Sequence, residues 1–168
     1  MNPNHAVIEL HLDDAAAEKL RRVWDRLKAE GIDARMPTTG ARPHVSLAAG
    51  TGLDFGKAAD RLERLCARRP PLRMVFPYLG LFPGSNSVGF LGVAHSEDLM
   101  ALHTEVFGEV EGCYGEVDSL YRPSVLVMHS TLALAIPGEQ LSAYWRAVTD
   151  SLLPGTFFSS ASINASTP

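Results

Sequence analysis

The segment Arg42-Pro43-His44-Val45-Ser46-Leu47-Ala48 is echoed by Val127-Met128-His129-Ser130-Thr131-Leu132-Ala133; both read His, any residue, hydroxyl residue, Leu, Ala. The echo belongs to a longer duplication. An extended run beginning at His5 starts 39 positions before His44, and a similar run near Ser87 starts 42 positions before His129. Each His is followed by a helical pattern and another extended run, starting 28 residues on at Leu72 and 27 residues on at Thr156. A chance match of tripeptides does not preserve such offsets, so the chain reads as two copies of one unit.

In the first copy, residues 5 to 12 alternate. Ala6, Ile8, Leu10 and Leu12 fall on one face and His5, Val7, Glu9 and His11 on the other, as in a half-buried strand. Asp13 or Asp14 caps a helix whose Leu20, Val23, Trp24 and Leu27 share a face, and Gly31 ends it. Met36 to Ala41 reads as loop, and the motif strand runs from about Pro43 to Ala49. A helix of roughly Lys57 to Arg68 and a strand from Leu72 to Leu79 complete the copy. Gly80 to Ser87 is the expected turn between copies.

The second copy runs in the same order. Val88 to Ala94 is a strand, Ser96 opens a helix, Glu111 to Pro123 is loop, and Val125 to Ile136 is the motif strand. A helix with Leu141, Tyr144, Trp145 and Val148 on one face follows. The last strand is expected to begin near Thr156 and fade into a frayed Ser-rich tail. His5, Glu9 and His11 share the polar face of the first strand; if that face lines the groove His11 is a third imidazole near the site, but an exposed edge is the expected position, and His95 and His103 are expected in structural or surface positions. The fold class is therefore α+β, a single domain of residues 1–168. Two antiparallel-sheet-plus-helix lobes, approximately 5–79 and 87–164, are related by a pseudo-two-fold around a central groove.

Composition narrows the function. With 46% hydrophobic and 20% charged residues the chain is an ordinary globular domain, and no apolar run approaches the ~20 residues of a membrane helix. The start Met1-Asn2-Pro3-Asn4-His5 lacks a secretory pattern, so a cytoplasmic placement is expected. A net charge of −4 argues against a protein that grips a long nucleic acid tract by its phosphates. Cys66 and Cys113 lie in no ligand or disulfide spacing and read as ordinary thiols. Arg61, Arg64, Arg68, Arg69 and Arg73 alternate with Leu62, Leu65 and Cys66, as on the wet face of a helix.

Strand alternation puts His44 and Ser46 on one face, and His129 and Thr131 on one face. Of two imidazoles turned to one substrate, one accepts a proton while the other donates. Each hydroxyl can hold a non-bridging phosphate oxygen and steady the charge that builds there. This is the chemistry of phosphodiester cleavage or transfer. No metal or cofactor is expected, because no carboxylate or Cys accompanies the two His at ligand spacing. Phe82 and Tyr121 are candidates to stack on a base, and Arg42 and Arg122 to meet phosphate. The competing reading is a module that binds a nucleotide or RNA end without processing it.

The pattern resembles the 2H phosphoesterase superfamily, in particular its 2'-5' RNA ligase-like and cyclic phosphodiesterase-like branch. The resemblance rests on both His motifs, on Leu79-Gly80-Leu81-Phe82-Pro83-Gly84, on Leu99-x-x-Leu102-His103, and on Tyr121-x-Pro123 eight residues before His129. It implies a bilobal α+β fold and metal-independent chemistry on 2',3'-cyclic phosphates or 2'-5' linkages of nucleotides or RNA ends; separately, a monomer without membrane contact is expected. It also implies that His44 and His129 are catalytic and that Ser46 and Thr131 hold phosphate. Relatives commonly carry Pro directly before the second His and often an aromatic residue three before it. This chain has Met128 and Leu126 there.

Overall fold

The computed structural model describes residues 5–152 and, as backbone, 157–166. Strand β1 (His5–Leu12) leads into helix α1 (Asp14–Ala29), a single turn α2 (Arg35–Thr38), strand β2 (His44–Thr51), helix α3 (Phe55–Cys66) and strand β3 (Leu72–Phe76). The local signals act as expected. Asp13 Oδ1 accepts the Ala16 N–H at 2.8 Å, Gly31 adopts φ 70°, and Leu20, Val23, Trp24 and Leu27 are all buried. The expected loop at 36–41 is partly taken up by α2.

The expected strand Leu72 to Leu79 is instead broken at Pro77, which has no N–H to donate to a ladder. The chain resumes as β4 (Tyr78–Phe82), so the turn between copies shrinks to residues 83–85 before β5 (Asn86–Gly92). Helix α4 (Glu97–Val110) follows, capped by Ser96, whose Oγ accepts the Leu99 N–H at 3.2 Å. The expected loop at 111–123 contains two 3-10 turns and the short strand β6 (Glu116–Val117). The second motif strand starts later than its apolar pattern suggests. Val125 and Leu126 donate their N–H groups back to Arg122 O in a turn, so β7 covers His129–Pro137. Helix α5 (Leu141–Leu152) and strand β8 (Phe157–Ser166) complete the described chain.

The strands form two antiparallel sheets, ordered β3-β8-β1-β2-β6 and β4-β5-β7. Each copy sends its last strand into the other copy's sheet: β4 pairs with β5, and β8 pairs with β1. The lobe ranges read from the repeat, 5–79 and 87–164, are thus crossed by the chain twice. The Ser-rich end is a ten-residue strand between β1 and β3 where the sequence reads as a frayed tail. Ladder bonds are made by backbone groups, and a composition-based reading cannot see partners on both sides. Thr156 lies outside the described residues.

Helices cross in the same way. α1 packs on α5 and reaches β7, while α4 packs on α3 and reaches β2. Trp24 Nε1 donates to Thr131 O at 3.1 Å, and His103 Nε2 donates to Leu47 O at 3.0 Å. The apolar faces of both sheets join in one buried cluster that includes Ile8, Leu10, Leu47, Leu91, Leu132 and Val148. Arg64, Arg68, Arg69 and Arg73 are exposed, as expected of a wet face, and several of these arginines make surface contacts. Arg61 Nη1 donates to Glu109 O at 2.7 Å, and Arg68 and Arg69 both pair with Glu105 on α4. Among the described residues, no helix is long and apolar enough to cross a membrane.

Candidate active site

The site forms where β2 and β7 run beside each other at the join of the two sheets. Along β2, Val45 and Leu47 are buried while His44 and Ser46 are half-buried; along β7, Ser130 and Leu132 are buried while His129 and Thr131 are half-buried. Period-two alternation therefore anchors one face of each strand in the core and turns the His and hydroxyl pair to the other. The two imidazoles are near enough for charge on His44 to oppose protonation of His129.

The two rings are held identically. His44 Nδ1 lies 2.7 Å from Arg42 O, and His129 Nδ1 lies 2.6 Å from Val127 O. A carbonyl only accepts, so in each case Nδ1 carries the proton and a neutral ring presents Nε2 as its lone-pair nitrogen. The backbone in front of each His is fixed the same way: Leu12 N donates to Pro43 O at 3.2 Å, and Val93 N to Met128 O at 3.1 Å. The contact asks nothing of the side chain before each His. The carbonyl makes the bond, and both residues have one.

Surroundings differ between the halves. His44 Nε2 is 3.3 Å from Glu9 Oε1, and the other oxygen of that carboxylate is 3.0 Å from His11 Nε2. His129 instead sits between aromatic rings, with the centroids of Phe82 and Phe90 each 5.0 Å away and those two rings stacked at 4.4 Å. Burial lowers the His129 pKa below its ordinary value, the Val127 carbonyl opposes this, and charge on His44 lowers it further. Tyr121, eight residues before His129, reaches the first half: its hydroxyl is hydrogen-bonded to Ser46, and burial raises its pKa, with Asp118 adding to the effect.

Phe82 and Tyr121 thus both meet motif residues, Phe82 at His129 and Tyr121 at Ser46. The Arg42 guanidinium is engaged locally, with Nη2 donating to Leu12 O at 3.0 Å and to Asp14 Oδ1 at 2.8 Å. Arg122 is exposed in the turn before β7. The expectation of an exposed edge at His11 is overturned. β8 covers the outer side of β1, so β1 is an interior strand, and His11 pairs in register with His44.

The contacts of two residues at the site are not legible in the sequence. Glu9 was visible only as one polar residue on an alternating strand, and nothing local revealed that its partner is His44. Tyr78 shares a face of the second sheet with Phe82, and its ring covers Gly92, where a Cβ would lie 2.0 Å from Tyr78 Cζ. Gly92 pairs with His129, so Tyr78 flanks that imidazole's strand position while remaining 45% exposed. Among the described residues, no three His, Cys, Asp or Glu groups are arranged to hold a metal ion.

A family model described as "2'-5' RNA ligase superfamily" matches residues 12–160. Two solved structures are similar in outline. The structure of Kluyveromyces marxianus Usb1 is 12% identical with TM-score 0.46, covering 94% of this chain and 91% of that one. The structure of Kluyveromyces marxianus Usb1 with uridine monophosphate is 14% identical with TM-score 0.43, covering 90% and 82%. No curated protein sequence matches the chain.

Proposed function

Since the chain belongs to the 2'-5' RNA ligase superfamily, we propose that it is a metal-independent phosphoesterase acting on 2',3'-cyclic phosphate or 2'-5' phosphodiester bonds of nucleotides or RNA ends. The observation that carries this reading is the pair of half-buried imidazoles, each with Nδ1 tied to a carbonyl and each followed two residues on by a hydroxyl on the same face. One Nε2 takes the proton from the attacking water or ribose hydroxyl. Phosphorus gains that oxygen and loses the bond to the leaving oxygen, which receives a proton from the other Nε2. Ser46 and Thr131 donate to the non-bridging oxygens, where negative charge grows.

Phe82 and Tyr78 offer aromatic surface beside His129 for a base, and exposed Arg122 is the more available of the two Arg candidates for an outlying phosphate. Arg42, committed to Asp14 and Leu12 O, serves the strand before the motif instead.

The test is turnover of 2',3'-cyclic nucleotides and 2'-5' dinucleotides with excess chelator present. Product formation that survives chelation supports the reading. Full loss on chelation, or no product from any substrate of either class, overturns it, and tight nucleotide binding without product identifies a binding module of the same fold.

A further inference from the structure

The outer edge of β2 changes partner just where the site begins. Gly115 N donates to Thr51 O and Asp118 N to Ala49 O, each at 2.9 Å, so the segment around β6 runs beside β2 as a strand. The chain then turns aside: Asp118 Oδ1 accepts the Leu120 N–H at 3.0 Å and opens the 3-10 turn Ser119–Tyr121. Nearer the site, Leu47 O takes its bond from a side chain instead. His103, fully buried on α4, places Nε2 3.0 Å from Leu47 O and 3.1 Å from Tyr121 O.

Both acceptors are carbonyls, so Nε2 carries the proton and shares it between them. Burial lowers the His103 pKa, and among the described residues its Nδ1 has no hydrogen-bond partner, as suits a neutral ring with one N–H. That N–H ties the motif strand to the turn carrying Tyr121, whose hydroxyl is bonded to Ser46. The links close a circuit: Leu47 O, the His103 ring, the Tyr121 main chain, the Tyr121 hydroxyl, and Ser46, the residue before Leu47.

We propose that His103 is a positioning residue for the hydroxyl of Ser46: by sharing its N–H between Leu47 O and Tyr121 O, it sets the Tyr121 turn where the tyrosine hydroxyl meets Ser46. That the Ser46 hydroxyl serves phosphate rests on the phosphoesterase reading above. Burial keeps the proton on Tyr121, and a phenol that donates to Ser46 Oγ fills one lone pair and leaves the serine proton for a non-bridging oxygen. The other half of the site is held by a different ring. β7 is the last strand of its sheet, and Trp24 Nε1 supplies the N–H to Thr131 O. Trp24 grips the hydroxyl-bearing residue itself, whereas His103 grips the residue after it and reaches Ser46 through Tyr121.

Kinetics on a 2',3'-cyclic nucleotide test this with three variants. His103→Leu keeps apolar volume without the N–H, His103→Gln retains a donor of similar reach, and Tyr121→Phe removes the hydroxyl. His103→Leu and Tyr121→Phe are each expected to lower kcat by about tenfold with less change in KM, the worth of one well-placed hydrogen bond. The double variant should be no slower than the slower single, because both act through one hydroxyl, and His103→Gln should restore most of the rate. Losses that multiply in the double variant, or a His103→Gln protein as slow as His103→Leu, overturn the proposal. Side-chain NMR gives an arm that needs neither turnover nor a change at His103. Tyr121→Phe is expected to shift the His103 Nε2–H signal, since the turn it holds loses its anchor at Ser46; an unmoved signal overturns the circuit. Absence of turnover by the unmutated protein speaks against the phosphoesterase reading, and the NMR arm then still decides whether His103, Tyr121 and Ser46 are linked.

Discussion

The indole of Trp24 donates its N–H to the carbonyl of Thr131, 3.1 Å away and 107 residues along the chain. This bond ties the first helix of one copy to the motif strand of the other, at the residue whose hydroxyl is assigned to phosphate. Trp24→Phe keeps most of the apolar volume but removes a hydrogen bond to a part-buried carbonyl, a loss of about 1 kcal/mol. The expected result is a lower urea midpoint with unchanged slope, and a kcat that falls more than KM rises because Thr131 is no longer held. A stability loss with unaltered kinetics contradicts the positioning role.

His44→Ala and His129→Ala are each expected to lower kcat/KM by about 10²–10⁴-fold on a cyclic nucleotide, the usual worth of a positioned acid or base. Neither ring is fully buried, and each is bonded only to a local carbonyl or to its immediate neighbours. Melting temperatures should therefore stay close to that of the unmutated chain. A large drop in melting temperature with residual activity counts against the assignment.

Stability should fall as the solution is acidified. Burial lowers the pKa of both His129 and His103 from the ordinary value of 6.5, so each binds protons more weakly in the folded than in the unfolded chain. Their contribution is complete above that value and is lost as pH falls through the folded-state values. Urea titrations between neutral pH and pH 5 should show this decline, shallower in His129→Gln. Parallel curves for the two proteins reject a role for His129 in the acid sensitivity.

Gly92→Ala places a methyl group against the Tyr78 ring and should destabilise by about 1–3 kcal/mol through overpacking. Tyr78→Ala removes the obstacle, so the double variant is expected to be more stable than the sum of the single effects allows. Additive effects rule out the contact.

A chain ending at Leu152 lacks β8 and leaves the facing edges of β1 and β3 without partners. Unpaired edges invite association. The truncated protein is expected to lose its cooperative thermal transition and to show high-molecular-weight species by light scattering; a monomer that melts like the full chain sinks the prediction.

Local chemistry was legible residue by residue. The alternation from Ala6 to Leu12 predicted the buried face of β1, Asp13 and Gly31 predicted the limits of α1, and the matched offsets of His44 and His129 predicted two equivalent strands. The family model matches residues 12–160, a range that contains both His motifs. Signals failed where the answer depended on a partner distant in the chain. The Ser-rich stretch at 157–166 carries no apolar pattern, yet it has a strand on each side. Val125 to Met128 carries such a pattern, yet its first two N–H groups turn back to Arg122.

A two-residue period states which side chains share a face, because alternation is a property of a single extended backbone. It does not state what stands opposite that face. The duplication and the His-hydroxyl pairs were therefore written in the order of residues, whereas the crossing of β4 and β8 between sheets came only with long-range pairing. The same holds for the site's asymmetry. Glu9 beside His44, and Phe82 and Phe90 beside His129, are tertiary facts, set by which strands share hydrogen bonds and by the need to bury both apolar faces in one core.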